Sequence, residues 1–278
     1  MSSRSESPPV DARGQVFQPL IRPARIISLV PSLTELLFDF GLDETEIVGR
    51  TRFCVHPATR VRSIPSIGGT KTTDTARILA RRPTLVLANK EENLRDTVLA
   101  LDAHVPVFVT NPRNVADALR MVLDLGLLLR EHAAAAALHQ RLAHALEALR
   151  AMGRGSALYL IWREPWMAAA AGTYIDAMMT HLGFDNALDA SMARDITTND
   201  SAFYPTISLE HMARLAPRHI LLSSEPFPFS PAHAEELRTA LRLHDASWAA
   251  SVDIRTVDGE LFSWYGSRVL HIETAPFL

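Results

Sequence analysis

The chain has 278 residues, of which 47% are hydrophobic and 21% charged, with a formal net charge of −3. This composition is typical of a globular protein that is long enough for two compact α/β units or one large one. The charge gives no electrostatic case for binding nucleic acid, and the single cysteine, Cys54, excludes an internal disulfide.

Residues 1–24 are rich in serine, proline and charged side chains, which predicts a flexible N-terminal tail. We find no apolar stretch long enough for a secretion signal and no run that approaches the length of a membrane span. As written, the sequence therefore predicts a cytoplasmic protein without membrane insertion, or a periplasmic one if a leader has been removed.

The next part of the chain alternates strand and helix patterns. RIISLV (25–30) predicts a buried strand, and SLTELLFDFG (32–41) predicts a helix with a capping box formed by Ser32 and Glu35. Further strands are predicted at 46–50, 84–88 and 106–110, with helices at 72–82 and 91–104. Such alternation favours a mostly parallel sheet covered on both faces, in an N-terminal lobe of residues 25–113.

Residues 114–152 form one long helical segment in the prediction. Alanine and leucine dominate this stretch, Asn114 can cap its start, and glycines follow its end. Because the run exceeds the common helix length, we expect a bend or break between Gly126 and Glu131.

The strand–helix alternation resumes in a C-terminal lobe, residues 153–278. Strands are predicted at 157–162, 219–224 and 254–259, and helices at 173–183, 208–216 and 231–242. The stretch 76–91 aligns without a gap on 210–225, so that Pro83 meets Pro217 and Glu91 meets Glu225. Any two αβ units look somewhat alike, but this shared helix–proline–strand–glutamate unit favours two lobes of like construction.

The candidate binding residues follow from the rule that ligands of open α/β sheets bind beyond the carboxyl ends of the strands. The rule collects strand-end residues from both lobes, including Ser32, Phe53 and Ser224, and from these we select Pro31, Arg52, Asn89, Lys90, Glu91, Arg163, Trp166, Glu225, Phe262, Trp264 and Tyr265. Aromatic faces beside arginine and lysine suit a large, partly planar ligand that carries negative groups. For each aromatic residue the alternative is core packing.

Catalytic signatures are absent from the sequence. It contains no P-loop, no dinucleotide fingerprint, no G-x-S-x-G turn and no zinc-binding histidine spacing. We therefore expect a protein that is not an enzyme and that has no resident metal or covalent cofactor.

Several segments together resemble the periplasmic-binding-protein family with a helical backbone, the cobalamin- and ferric-siderophore-binding subunits of ABC importers. They are RIISLVPSLTELLFDFGL, VGRTRFCVHP, RILARRPTLVLA and the single connecting helix, and the resemblance covers about residues 25–275. It implies an α/β fold of two similar three-layer αβα lobes joined by one long backbone helix, with the ligand in a cleft between the lobes.

The resemblance also implies roles for individual residues. A ligand-stacking aromatic of the first lobe falls at Thr70 and Lys71, where none is present, whereas its counterpart in the second lobe falls at Tyr204. Of the two glutamates that dock such proteins onto a permease, the second falls on Glu210, but Ala76 takes the place of the first.

We therefore expect a monomeric solute-binding protein for a cobalamin-like ligand or another metal chelate, such as a siderophore or a tetrapyrrole, linked to ABC-type import. Arg52, Lys71, Lys90 and Arg163 would meet its acidic groups, and Trp166, Tyr204, Trp264 and Tyr265 would pack on its body. Two alternatives remain open: a cytoplasmic enzyme or metal-insertion factor on the same scaffold, using Glu91, Glu225 or His56, and a paralogue retained for protein contacts.

Overall fold

Short runs of β-branched and leucine residues form the strands of two separate sheets. In the computed structural model, which describes residues 7–189 and 203–271, the chain divides into two compact units. The first unit comprises the described residues up to Pro112, Ala116–Ala145 and Tyr265–His271. The second comprises Arg113–Val115 and Leu146–Trp264.

The first unit contains a parallel sheet of four strands in the order β2-β1-β3-β4. Its elements are β1 (Ile26–Ser28), α1 (Pro31–Asp39), β2 (Ile47–Arg50), α2 (Ala58–Val61), α3 (Thr75–Ala80), β3 (Leu85–Asn89), α4 (Arg95–Asp102) and β4 (Val107–Thr110). All residues of β1, β3 and β4 are buried, so both faces of the sheet are covered. Parallel strands are normally buried in this way, as the sequence predicts.

Two helices follow β4, namely α5 (Val115–Leu129) and α6 (His132–Leu149). The helical run is interrupted at Arg130, whose φ of 61° is left-handed, and at Glu131. The break lies within the interval that the sequence predicts.

The second unit has a mixed sheet in the order β6-β5-β8-β9, with β7 also paired to β5. Its elements are β5 (Gly155–Trp162), β6 (Met167–Ala168), α7 (Tyr174–Leu182), β7 (Phe184–Asn186), α8 (Leu209–Leu215), β8 (His219–Ser223), α9 (Pro231–Leu241), α10 (Ala246–Ser251), β9 (Asp253–Val257) and α11 (Gly259–Ser263). Only β6 runs antiparallel to its neighbour. Leucine, isoleucine and alanine side chains from β5, β8, α9 and α10 fill the core.

Two local predictions are wrong. The capping box of Ser32 does not form, because α1 begins one residue earlier, with Val30 as its N-cap and Pro31 as its first residue. Proline suits this position because its missing N–H would have no helical partner there. Ser32 is instead buried within the first turn.

The tail is not loosely held over its described part. The N–H of Ala12 donates to Val109 in β4, and Arg13 pairs with Asp11 and with Asp102 of α4. Asp11 is buried, and its carboxylate also accepts from the N–H of Val109. The flexible-tail prediction is therefore wrong around these residues; residues 1–6 lie outside the described part, as do 190–202 and 272–278 of the predicted C-terminal lobe.

A 3-10 helix, Ser267–Leu270, ends the described chain and belongs to the first unit, where it packs against α1. The sequence does not predict this helix, nor the short elements α2, β6, β7, α10 and α11. In the described part of the chain, no helix combines the length and apolar character needed to cross a membrane.

Candidate ligand-binding site

Exposed and half-buried side chains lie at the carboxyl edge of the first sheet. We call this group the first edge surface and define it as Arg52, Phe53, Thr70, Lys71, Lys90 and Glu91. The Arg52 guanidinium lies 4.8 Å from the centre of the Phe53 ring, and both side chains are exposed. Gly69 lies beneath the pair, since a Cβ there would come within 3.4 Å of both. Lys71 and Lys90 are exposed as well.

A buried residue, Asn93, ties the loops of this edge together. Its Nδ2 donates to the carbonyls of Leu29, at 3.3 Å, and Thr70, at 3.0 Å, while its Oδ1 accepts from the N–H of Asn89. The Asn89 side chain in turn accepts from the N–H of Glu91 at 2.8 Å. These bonds connect the residue that follows β1, the loop between α2 and α3, and the last residue of β3.

Asn89 is predicted to contact the ligand, but in the structure its hydrogen bonds hold the loops of the first edge surface in place. It is only 1% exposed, and its Nδ2 donates to Thr110 on the neighbouring strand. Asn93 itself is absent from the sequence prediction, because nothing in the sequence distinguishes it from other loop asparagines. Phe53 was collected by the strand-end rule but not selected.

The second unit carries an aromatic cluster at the corresponding ends of β5 and β8, defined as Trp162, Trp166, Phe227 and Phe229. Trp162 is the last residue of β5, is 39% exposed and meets the edge of Phe227 at 5.7 Å between ring centres. Trp166 stacks on Phe229 at 5.8 Å with parallel rings. The cluster presents aromatic surface beside the half-buried Arg163, which pairs with Glu164 and Glu236.

Glu225 lies two residues beyond β8 and is largely buried. Its Oε1 accepts hydrogen bonds from the Ser263 hydroxyl at 2.5 Å and from Trp264 Nε1 at 2.8 Å. Burial raises the pKa of Glu225, and the two hydrogen bonds oppose that rise. Glu91, its counterpart in the sequence repeat, lies two residues beyond β3 and is half-buried as well.

Three aromatic residues near the C-terminus that were expected to contact a ligand are buried, namely Phe262, Trp264 and Tyr265. Phe262 is fully buried and packs on Tyr159, with ring centres 4.8 Å apart. The prediction that Phe262 contacts the ligand is therefore wrong, because its side chain has no accessible surface and packs in the core. Tyr265 is 6% exposed, and it belongs to the first unit whereas Trp264 belongs to the second.

The remaining predicted residues are placed as follows. Pro31 is half-buried at the start of α1. Tyr204 is half-buried in the stretch that precedes α8. Glu210 is exposed in the first turn of α8 and pairs with Arg214 at 3.0 Å. Ala76 is exposed in the first turn of α3. Their roles in binding and docking stay predictions.

Metal-ligating side chains do not gather in either unit. Over residues 7–189 and 203–271, no three histidine, cysteine, aspartate or glutamate side chains are placed to hold a metal ion. Cys54 is buried between the hydroxyls of Thr34 and Thr51, both 3.1 Å from its sulfur, and burial raises its pKa. Among the described residues, the first edge surface and the aromatic cluster therefore offer mainly aromatic and charged side chains.

Comparison of the sequence with protein families gives a match to the periplasmic binding proteins over residues 26–241. The chain belongs to this family. It is a family of binding proteins rather than enzymes, and its members deliver small-molecule ligands to the permeases of ABC transporters. The alternative of an enzyme or metal-insertion factor finds no support, and neither does the expectation of a cytoplasmic location.

Solved structures similar to this periplasmic binding protein include heme- and vitamin-binding members. The periplasmic heme-binding protein RhuT from Roseiflexus sp. RS-1 is 21% identical with a TM-score of 0.72, covering 88% of this chain and 93% of its own. The periplasmic vitamin B12 binding protein BtuF of Vibrio cholerae is 17% identical with a TM-score of 0.73, covering 90% and 93%. The heme-binding HutB of Vibrio cholerae is 19% identical with a TM-score of 0.70, covering 89% and 95%. A comparison with curated proteins gives no significant match.

These likenesses establish the fold as the two-lobed α/β architecture of helical-backbone binding proteins, as the sequence predicts. At identities this low they do not carry the ligand over to this chain. The chemical class of the ligand is instead inferred from the first edge surface and the aromatic cluster.

Proposed function

We propose that this protein binds a planar, negatively charged metal chelate of the tetrapyrrole type, a heme or a corrinoid, and presents it to an ABC importer outside the cytoplasm. The observation that carries the proposal is the pairing of Arg52 with Phe53 at an exposed strand end, beside Lys71 and Lys90. A flat ring system packs on an aromatic face, and its carboxylates or phosphate pair with the cations around it.

The aromatic cluster of the second unit supports the same ligand class. Trp162 is 39% exposed, although burying its ring would be favourable, and its edge-to-face contact with Phe227 holds the ring in place. Rigid aromatic anchors of this kind bind with little loss of side-chain entropy. Arg163 lies next to Trp162 and brings a further positive charge, partly neutralised by Glu236.

The first experiment is titration of the purified protein with hemin, cyanocobalamin and a ferric hydroxamate siderophore, followed by absorption spectra and calorimetry. We expect saturable binding of hemin or cyanocobalamin at about one ligand per chain, with Kd near 1 μM or tighter. Absence of binding by both tetrapyrroles would contradict the proposal. Binding of the siderophore alone would mean that the ligand is a non-planar chelate and not a tetrapyrrole.

Variants locate the bound ligand. Changing Phe53→Ala together with Arg52→Ala removes the ring and its cation, and we expect affinity to fall about tenfold or more. Arg60→Ala is the matched control, because Arg60 also lies over a phenylalanine ring, Phe38 at 4.5 Å, but belongs to α2. Equal affinity in the double variant and the control would show that the ligand does not use the first edge surface.

A further inference from the structure

A histidine of α9, His233, packs against the aromatic cluster of the second unit. Its ring stands nearly perpendicular to those of Phe227, at 5.3 Å between ring centres, and Phe229, at 5.8 Å. The two phenylalanine rings are themselves 4.7 Å apart, so the three rings form one compact group. His233 lies in the first turn of α9 and is half-buried. The sequence-based prediction of the site does not include it.

One nitrogen of this imidazole is already used by the helix. Nδ1 lies 3.0 Å from the backbone nitrogen of Ser230, whose N–H can only donate, so Nδ1 accepts in this hydrogen bond. The Ser230 hydroxyl lies 2.9 Å from the same Nδ1. A neutral imidazole has a single ring proton, which is therefore on the other nitrogen. The hydrogen bond with Ser230 thus makes Nε2 of His233 a donor.

The Nε2 donor is available to a bound molecule. It has no hydrogen-bond partner among the described residues, and it keeps accessible surface. Trp162 and Trp166 belong to the same cluster, since they contact Phe227 and Phe229 respectively. An N–H donor beside partly exposed aromatic rings suits a ligand with a flat ring system and a hydrogen-bond acceptor at its edge.

The charged side chains beside the cluster indicate which acceptor fits. Arg163 pairs with both Glu164 and Glu236, so these three side chains together carry one net negative charge. Glu236 follows His233 by three positions on α9 and therefore lies on the same face of that helix. A carboxylate that accepts from Nε2 would be repelled by this excess charge, whereas a neutral carbonyl oxygen would not.

The same hydrogen bond argues against His233 as a ligand of the metal in a bound chelate. A histidine coordinates a metal through a nitrogen lone pair, and its other nitrogen then donates its proton to an acceptor. Coordination through Nε2 would place that proton on Nδ1, facing the Ser230 N–H, and would break the bond between them. The geometry therefore favours a donor role for His233.

We propose that His233 determines specificity in the second unit by donating from Nε2 to the carbonyl oxygen of a carboxamide at the edge of the bound chelate. A carboxamide also carries N–H donors, which the Glu236 carboxylate can accept. The inference rests on the proposed function. Within it, the chelate has carboxamide side chains rather than carboxylates alone.

The first test uses two small probes that differ only in this group, benzamide and benzoate, titrated into the full chain and followed by NMR of the histidine ring signals. We expect benzamide to bind saturably with Kd of about 10 mM or tighter and to shift the His233 signals. Benzoate should bind about tenfold more weakly because of its charge. Benzoate binding as tight as that of benzamide, or no shift of His233 with either probe, would overturn the proposal.

Variants connect the donor to the ligand. His233→Phe keeps a ring against Phe227 and Phe229 but removes Nε2, so affinity for cyanocobalamin, which has carboxamide side chains, should fall about tenfold, while affinity for hemin should change by no more than about twofold. His233→Gln restores an N–H donor and should recover part of the loss. His211→Phe is the matched control, because His211 also follows a capping serine by three positions, with Nδ1 2.9 Å from the Ser208 hydroxyl.

The outcomes separate this inference from the proposed function. If neither hemin nor cyanocobalamin binds, the proposed function fails, and the benzamide titration still decides whether His233 binds a carboxamide. If cyanocobalamin binds equally to the wild type and to His233→Phe, the inference fails and the proposed function stands. Binding of hemin but not of cyanocobalamin would also overturn the inference, and a changed Soret band in His233→Phe would then assign His233 to the metal.

Discussion

Glu225 and Glu91 occupy equivalent places in the internal repeat, yet their surroundings differ. Each lies two residues beyond a strand, β8 or β3, as the aligned stretches predict. Glu225 is enclosed by α11 and Trp264, and burial raises its pKa. A sequence repeat therefore predicts the position of a residue relative to its strand, but it does not predict which elements pack against the side chain.

Glu225→Gln should make the second unit less sensitive to pH. Because the pKa of Glu225 is raised in the folded state, its contribution favours folding below the pKa of an unfolded glutamate and is lost as pH rises through the folded value. Glutamine keeps an oxygen acceptor for Trp264 Nε1 without the ionisation. We expect the variant to lose less stability than the wild type between acidic and neutral pH, measured by urea unfolding.

Two further variants make this experiment decisive. Glu225→Leu removes the carboxylate that accepts from Trp264 Nε1 and should cost about 1–3 kcal/mol, while the Ser263 hydroxyl keeps the Gly259 carbonyl as an acceptor. Glu210→Gln changes an exposed carboxylate of the same unit and should leave the pH profile unchanged. A profile for Glu225→Gln that runs parallel to the wild type would contradict the assigned ionisation.

Asn93→Ala should loosen the first edge surface. The change removes two bonds from Nδ2, to Leu29 and Thr70, and one to Oδ1 from Asn89, all in a buried place. We expect a loss of about 1–3 kcal/mol in unfolding free energy and weaker binding of the proposed chelate, measured by denaturation and titration.

The control for this prediction is Asn111→Ala in the same unit. The Oδ1 of Asn111 is buried and has no hydrogen-bond partner among the described residues, so its removal leaves no donor stranded. If the two substitutions cost the same, the bonds of Asn93 do not hold the edge together.

At the level of whole elements, the junction of α5 and α6 depends on a glycine. A Cβ at Gly126 would lie 2.1 Å from the Cβ of Ala135, so the two helices meet where Gly126 has no side chain. The sequence predicts a break here from helix length, but the reason for glycine is packing rather than flexibility. Helix propensity alone would favour alanine at this position.

Gly126→Ala should therefore destabilise the first unit although alanine is the better helix former. Overpacking of this kind costs about 1–3 kcal/mol, more than the roughly 1 kcal/mol gained in propensity. Thermal unfolding monitored by circular dichroism measures the net effect. The double variant with Ala135→Gly removes the opposing methyl group and should recover part of the loss; no recovery would show that the clash is not the cause.

Most long elements could be predicted from the sequence, whereas short ones could not. Strands such as β3 and β8 have apolar β-branched or leucine runs that fit only a buried sheet, and α7 ends at Gly183 with φ of 96°, as its glycine indicates. The helix α10 has six residues, too few for a periodic pattern to emerge. Its start depends on Asp245, which accepts a hydrogen bond from the Trp248 N–H, and aspartates are common in loops without such a role.

The candidate site divides in the same way. The strand-end rule correctly places Arg52, Lys90 and Trp166 after strands, because it depends only on where strands stop, and their contacts with a ligand stay predictions. It does not separate exposed from buried side chains, so Phe262 and Asn89 were wrongly selected as contacts. It also misses partners far apart in sequence, such as Glu35 and Arg268, whose pairing over 233 positions has no local signal.

At the scale of the whole molecule, residues 265–271 return the chain to the first unit. They follow Trp264 of the second unit, and within them Arg268 pairs with Glu35 and Val269 is buried. The first unit is therefore completed only when the C-terminal segment is present. This connection makes the stability of the first unit depend on residues that follow the second.

Ending the chain after Trp264 should selectively destabilise the first unit, because Glu35 would keep its buried position and lose its ion pair with Arg268. Breaking a buried pair in this way costs about 3–5 kcal/mol. Hydrogen exchange measures the effect, since protection in β1 and β3 should fall while that in β5 and β8 should hold. A chain ending after His271 is the matched control, and Arg268→Ala in the full chain tests the ion pair alone. Equal protection in the two shortened chains would mean that residues 265–271 do not stabilise the first unit.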